Sequence, residues 1–297
     1  MALGGMVATA DGLLIIDKPA GWTSHDVVAK LRRLTGTKRV GHAGTLDPLA
    51  TGVLVVGVGK ATRLLGHLAL TEKEYLATIR LGQATDTCDA EGSVIGGAPA
   101  SGVTLAAVQA AARDLTGEIQ QVPPAISAIK VDGKRAHRLA RAGTTPALAP
   151  RAVTVRSFSI ITERRTGDLL DVDVAVTCSS GTYIRALARD LGEALGVGGH
   201  VTVLRRTRAG AYDLSLARSL DGLDPAEALI PLERAAADAF PARVLTEDEA
   251  RSLSHGGRLP GGEPAPGPVA AFGPDGSLIA LVEESGGQAR PLAVFVP

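Results

Sequence analysis

The chain is poor in several things that would decide its chemistry outright. Of 297 residues only two are cysteines, Cys88 and Cys178. That is too few for a disulfide framework or a thiolate zinc site, so both are expected as reduced thiols. The six histidines are too scattered for a local metal motif, and no metal is expected. No stretch approaches the roughly 18 apolar residues of a membrane span. Residues 1–11 also lack the basic start and apolar run of a secretory signal. A cytoplasmic protein with no membrane partner is therefore expected. Basic and acidic residues balance, 31 against 31, so no global field points to nucleic acid, although a zero total can hide opposite local fields. There is no Gly-x-Ser-x-Gly elbow. Gly57-Val58-Gly59-Lys60-Ala61-Thr62 fails as a phosphate loop, because Leu54 stands where the earlier glycine is needed and Ala61 where Ser or Thr would bind magnesium. Neither a 20–50-residue repeat nor a low-complexity tail is present.

What is there is a soluble globular composition, 45% apolar and 21% charged, long enough for two domains. Residues 12–16 read as a buried strand leaving through Asp17-Lys18-Pro19-Ala20-Gly21. Thr23 or Ser24 then caps a helix with Val27, Val28, Leu31 and Leu34 at helical spacing, ended by Gly36. Strands are expected at 53–58, 74–81, 153–161, 169–176 and 201–204, and helices at 104–115 and 183–195. Residues 120–150 read as a basic, partly helical insertion carrying Lys130, Lys134, Arg135, His137, Arg138 and Arg141 against Asp132 alone. After about residue 240, Gly and Pro clusters separate short apolar runs at 269–272, 278–282 and 292–296, which predicts a small β-rich domain over 241–297 behind a body of residues 1–240.

Residues 41–52 hold one carboxylate, one imidazole and almost no bulk. Three glycines permit positive φ or close approach, and Pro48 restrains both its own φ and the backbone of Asp47. By default such a stretch is a turn in which the aspartate caps nearby amides. Its neighbours argue otherwise. Lys30, Arg32, Arg33, Lys38 and Arg39 lead into it with little acid to offset them.

Five segments occur in order: Asp17-Lys18-Pro19-Ala20-Gly21-Trp22-Thr23-Ser24; Arg39 through Gly52; Lys73-Glu74-Tyr75; Val122-Pro123-Pro124-Ala125-Ile126-Ser127-Ala128-Ile129-Lys130; and Cys178-Ser179-Ser180-Gly181-Thr182-Tyr183-Ile184-Arg185. Together they resemble the bacterial tRNA pseudouridine synthase B family across residues 12–240. The resemblance implies an α+β pseudouridine synthase fold, with a mixed, largely antiparallel central sheet flanked by helices. It implies a thumb-like loop at about 120–150. The short tail resembles the divergent C-terminus of actinobacterial members, which implies a small β-rich, PUA-like C-terminal domain over 241–297.

The implied activity is isomerisation of uridine 55 in the T-arm loop of tRNA to pseudouridine, without a cofactor. By resemblance Asp47 is the catalytic carboxylate, Arg185 its charge partner and Tyr75 the tyrosine that stacks on uracil. Attack on ribose, attack on uracil and proton abstraction all stay open to Asp47. His42 would help hold the flipped base. Tyr183 and Leu204 would line its pocket, with Lys18 and Lys130 also near the substrate. Arg39, Arg135, Arg138, Arg141, Arg205 and Arg206 would meet the RNA backbone. A monomer is expected. The competing reading is a tRNA-binding or RNA-folding protein in which catalysis is secondary.

Overall fold

The computed structural model describes residues 10–125, 130–131, 134–135, 148–262 and 265–296. Along the chain run β1 (Gly12–Lys18), α1 (Ser24–Thr35), β2 (Val40–Ala43), β3 (Thr51–Val58), β4 (Lys73–Leu81), α2 (Leu105–Asp114), β5 (Gly117–Gln121), β6 (Arg151–Thr166), β7 (Leu169–Cys178), α3 (Ile184–Ala194), β8 (Gly199–Ala209), α4 (Leu232–Ala239), β9 (Ala242–Val244), α5 (Glu247–Ser254), β10 (Pro268–Phe272), β11 (Leu278–Ser285) and β12 (Gln288–Val294). They fold into two compact units. One holds residues 1–48, 52–69 and 209–297, the other 49–51 and 70–208.

In the first unit β1 pairs antiparallel with β3 from Gly12↔Val58 to Lys18↔Gly52, and β2 pairs antiparallel with β3. The short strand Arg218–Ser219 runs parallel to β1. The unbroken apolar run of β3 reflects its environment, since every residue from Val53 to Val58 is buried. Helix α1 starts at a capping box in which Thr23 and Asp26 satisfy each other's backbone amides. Its buried side carries Val27, Val28 and Leu31. A second sheet, ordered β9-β10-β11-β12 and then Leu259–Pro260, belongs to the same unit. Leu13, Ile15, Val53, Val55, Ala235, Phe240, Ala270, Leu278, Leu281 and Phe295 form one buried cluster, so the first strands and the C-terminal sheet share a core.

In the second unit the strands lie in the order β8-β4-β7-β6-β5. β4 and β7 are antiparallel from Lys73↔Cys178 to Leu81↔Leu170. The alternation read from the sequence is realised in β7, where Leu170, Val172, Val174, Val176 and Cys178 are buried and the residues between them half-buried. Helix α3 buries Ile184, Leu187, Ala188 and Leu191. It approaches the chain so closely that a Cβ on Gly192 would lie 2.2 Å from the carbonyl carbon of Gly198. Glycine is what lets this helix seat.

Both units combine largely antiparallel sheets with helices, the parallel pairings of β1 with Arg218–Ser219 and of β9 with β10 making the sheets mixed, the α+β arrangement expected. Several details differ. Residues 40–43 form β2 instead of opening a loop, and four residues are too few for an alternation to show. β8 runs on through its arginines to Ala209. β12 begins at Gln288, four residues before the expected run, because its polar and proline positions mask it. Within the expected insertion, Lys130–Val131 pairs with Lys134–Arg135, while Arg138 and Arg141 lie outside the described residues.

Candidate active site

The Asp47 segment connects β2 to β3 over residues 44–50. Of the three glycines in 41–52, Gly44 (φ +78°) and Gly52 (φ +98°) use the left-handed freedom expected of them. Gly41 sits in β2, where a Cβ would meet Leu65 Cδ1 at 3.1 Å. The loop is held on both sides of the carboxylate. On one side the buried Ser24 hydroxyl accepts from the Leu46 amide (2.9 Å) and donates to the Leu46 carbonyl (3.1 Å). On the other, the Pro48 carbonyl accepts from Lys18 Nζ (3.2 Å) and from the Gly21 amide (2.9 Å). Leu46 and Ala50 point inward, at 3% and 0% exposure, and Asp47 itself is half-buried.

Lys18 is fully buried and also donates to the carbonyls of Pro19 (2.9 Å) and Trp22 (2.5 Å). An ammonium has three protons to place, and the three carbonyls turn this lysine into a clamp across the β1–α1 turn. His42 lies on β2, its ring edge-on to His25 with centroids 5.6 Å apart. Arg39 is exposed just before it. Farther along α1, Lys30 sits 5.5 Å above the Trp22 ring and 3.5 Å from Asp221.

The second unit carries the other expected residues. Tyr75 lies half-buried on β4, opposite Val176. Tyr183 caps the start of α3, where the buried Gln121 side chain accepts from the Tyr183 amide (2.8 Å) and donates to its carbonyl (3.2 Å). Two residues on, Arg185 is 4% exposed. Its Nη1 donates to the Thr87 carbonyl at 2.8 Å and lies 3.2 Å from Asp89 Oδ2. Asp89 is in turn fixed by the Thr87 hydroxyl (2.5 Å) and the Glu91 amide (3.0 Å). A buried guanidinium–carboxylate pair of this kind survives desolvation only with such added hydrogen bonds.

On β8, Leu204 is buried and its carbonyl accepts from Thr51 Oγ1 at 3.5 Å. Arg205 Nη1 lies 3.3 Å from the same hydroxyl. Arg206, expected at the RNA backbone, is only 1% exposed, whereas Arg208 turns to Glu72 and Glu74. Lys73, paired across the strands with Cys178, is pushed down to about 8 by burial and then by the neighbouring charge of Arg206. Burial also drives the Cys178 thiol up to about 11 and raises that of Cys88. Neither thiol is a nucleophile at neutral pH. No cluster of three or more His, Cys, Asp or Glu among the described residues is arranged to hold a metal.

Sequence reasoning assigned no role to Asp89 or Gln121, and treated Ser24 only as one of two candidate caps. Asp89 left a faint trace in Thr85-Asp86-Thr87-Cys88-Asp89, a polar turn rich in hydroxyls and acids right after a strand. Gln121 left none.

The fold has solved counterparts. A chain in the structure of an H/ACA RNP bound to a substrate RNA containing 2'-deoxyuridine superimposes with a TM-score of 0.71 at 26% identity, over 100% of this chain and 88% of that one. The fold is that of the pseudouridine synthases. Three family profiles tile the sequence: TruB family pseudouridylate synthase (N terminal domain) over 32–184, the tRNA pseudouridylate synthase B C-terminal domain over 185–238, and tRNA Pseudouridine synthase II, C terminal, over 240–296. The tRNA pseudouridine synthase B of Thermobifida fusca is 60% identical over 291 residues, 96% of this chain and 99% of that protein. Its counterpart from Rhodococcus jostii is 58% identical over 291 residues, 96% and 94% of the two. The chain belongs to the TruB family of pseudouridylate synthases, RNA-modifying isomerases.

Proposed function

We propose that the chain converts uridine 55 in the T-arm loop of tRNA to pseudouridine, with Asp47 as the catalytic carboxylate. The observation that supports this most is the near full-length likeness to enzymes named tRNA pseudouridine synthase B. Asp47 is the single ionisable side chain of residues 44–50. The target base is flipped out of its stack and the C1'–N1 glycosidic bond is broken. Uracil then turns, C5 bonds to C1', the C5 proton leaves to a base or water, and N1 takes up a proton. Atoms and electrons balance without a cofactor, since the product is an isomer of the substrate.

In this reading Asp47 drives glycosidic cleavage as glycosidase carboxylates do. Tyr75 stacks on the uracil, His42 supports the flipped arrangement, and Tyr183 and Leu204 line the base pocket. Arg185 supplies positive charge from a position set by Asp89. Lys18 serves by holding the Asp47 loop. Arg39, Arg205 and the basic residues of the 120–150 insertion, including Lys130, Arg135, Arg138 and Arg141, neutralise phosphates. The protein acts as a monomer in the cytoplasm, where its substrate is.

Asp47→Asn tests the assignment. Tritium release from a T-arm stem-loop labelled at uridine C5 should fall to background while tRNA binding stays within a few-fold. Full turnover by the variant would remove Asp47 from the chemistry. Tight binding of tRNA by the wild type without any tritium release would favour an RNA-binding or RNA-folding role instead.

A further inference from the structure

We propose that Ser24 is a positioning residue for Asp47, acting through the backbone of Leu46; this rests on the reading of Asp47 as the catalytic carboxylate. Thr23 and Ser24 stand together at the start of α1, and one hydroxyl is enough to cap it. Thr23 does so: its Oγ1 accepts from the Asp26 amide at 3.1 Å, and Asp26 Oδ2 accepts from the Thr23 amide at 2.9 Å. The Ser24 hydroxyl is therefore surplus to the helix. It is 1% exposed and reaches 22 residues along the chain to bond both backbone groups of Leu46.

That geometry copies one rung of an antiparallel ladder. A hydroxyl has one proton and two lone pairs, so a single oxygen can serve an N–H and a C=O of the same residue. Leu46 needs this service because its side chain is buried in a loop with no strand partner. Beyond it, the ring of Pro48 fixes one dihedral and the Pro48 carbonyl is held by Lys18 and Gly21. Asp47 thus stands between two residues whose backbones are pinned, and Ser24 pins the N-terminal one. Losing that hydroxyl frees the peptide preceding Asp47 while leaving its carboxylate, its charge and the helix cap in place.

The test compares Ser24→Ala with Thr35→Ala. Thr35 is a second buried hydroxyl on α1, bonded to the Leu31 carbonyl at 2.7 Å. Its removal controls for loss of stability alone. Single-turnover rates at saturating enzyme, tRNA dissociation constants and melting temperatures are measured for both. Ser24→Ala should slow conversion about 10- to 100-fold, the scale of an ångström-sized misplacement, with tRNA affinity within twofold of wild type. Thr35→Ala should match its drop in melting temperature at wild-type rate, and Ser24→Thr, which keeps the hydroxyl, should recover much of the loss. A wild-type rate for Ser24→Ala, or equal slowing by Thr35→Ala, overturns the proposal. If Ser24→Ala does not fold, Ser24→Cys, with a weaker donor and acceptor at the same place, must still slow conversion without weakening binding; if it does not, the proposal falls. Activity retained by Asp47→Asn would instead sink the reading beneath it.

Discussion

Cys88 holds a left-handed backbone, φ +59°, alone among the described residues other than glycine. It stands between Thr87, whose carbonyl receives Arg185, and Asp89, whose carboxylate pairs with the same guanidinium. The turn at Cys88 is what aims both groups at one cation. An L-residue held there costs about 1–2 kcal/mol, and a β-branched one more. In urea unfolding Cys88→Gly should therefore stay close to wild type, while Cys88→Val should lose about 2 kcal/mol or more relative to it. A glycine variant less stable than the valine one would mean that the thiol's packing matters and the backbone does not. What local composition announces was legible in sequence: a tight turn of small residues around Asp47, with Gly44 and Gly52 in the left-handed region. Ser24 and Asp89 were not, because each acts on a residue distant in sequence and nothing local distinguishes them from ordinary turn hydroxyls and acids.

Strand β8 shows why elements were read too short. The sequence predicts an end at Leu204, because the arginines that follow read as a basic exit. A strand alternates, however, and continues wherever each face suits its residue. Leu204 and Arg206 turn inward, while Val203, Arg205 and Thr207 face the other way and are less buried; Arg208, on the face of Leu204 and Arg206, pairs with Glu72 and Glu74. Across the same sheet, β4 brings Lys73 inward. Its ammonium is pushed from the ordinary 10.5 down to about 8, so between those values the unfolded chain binds more protons than the folded one. Stability contributed at this site therefore rises as pH climbs from about 8 towards 10.5, and the cost of the buried charge is felt in full below 8. Lys73→Met should raise the melting temperature relative to wild type at pH 7, and the gap should close by pH 10. A gap independent of pH would show that Lys73 titrates as an ordinary surface lysine.

At the scale of the whole molecule, residues 241–297 carry four arginines against seven acidic residues. That excess of negative charge offers little to phosphates, and a different role is visible in the packing. Ala270, Leu278, Leu281 and Phe295 lie in the same buried cluster as Leu13, Val53 and Ala235. Each large apolar side chain there contributes about 1.5–3 kcal/mol by burial, and together they rival the 5–15 kcal/mol that holds a typical domain folded. A chain cut after Phe240 should fail to give a cooperative thermal transition or should aggregate. A melt within a few degrees of the full-length protein would instead establish the C-terminal segment as an independent domain. Composition revealed that this segment is β-rich. It could not reveal which core the strands complete, since an apolar strand face reads the same whatever covers it.

The supports of the Asp47 loop have one more consequence. Ser24 reaches it across 22 residues and Lys18 across 30, and β3, which takes β1 and β2 as partners, ends at Val58. The Ser24 and Lys18 supports are thus both encoded in the first sixty residues, and contacts of such short sequence separation form early. During synthesis these two supports emerge while most of the polypeptide is still inside the ribosome or not yet translated, whereas the core over Leu13 and Val53 waits for the C-terminal strands. Substitutions at Ser24 or Lys18 would then strike the nascent chain before the later strands exist to compensate for them.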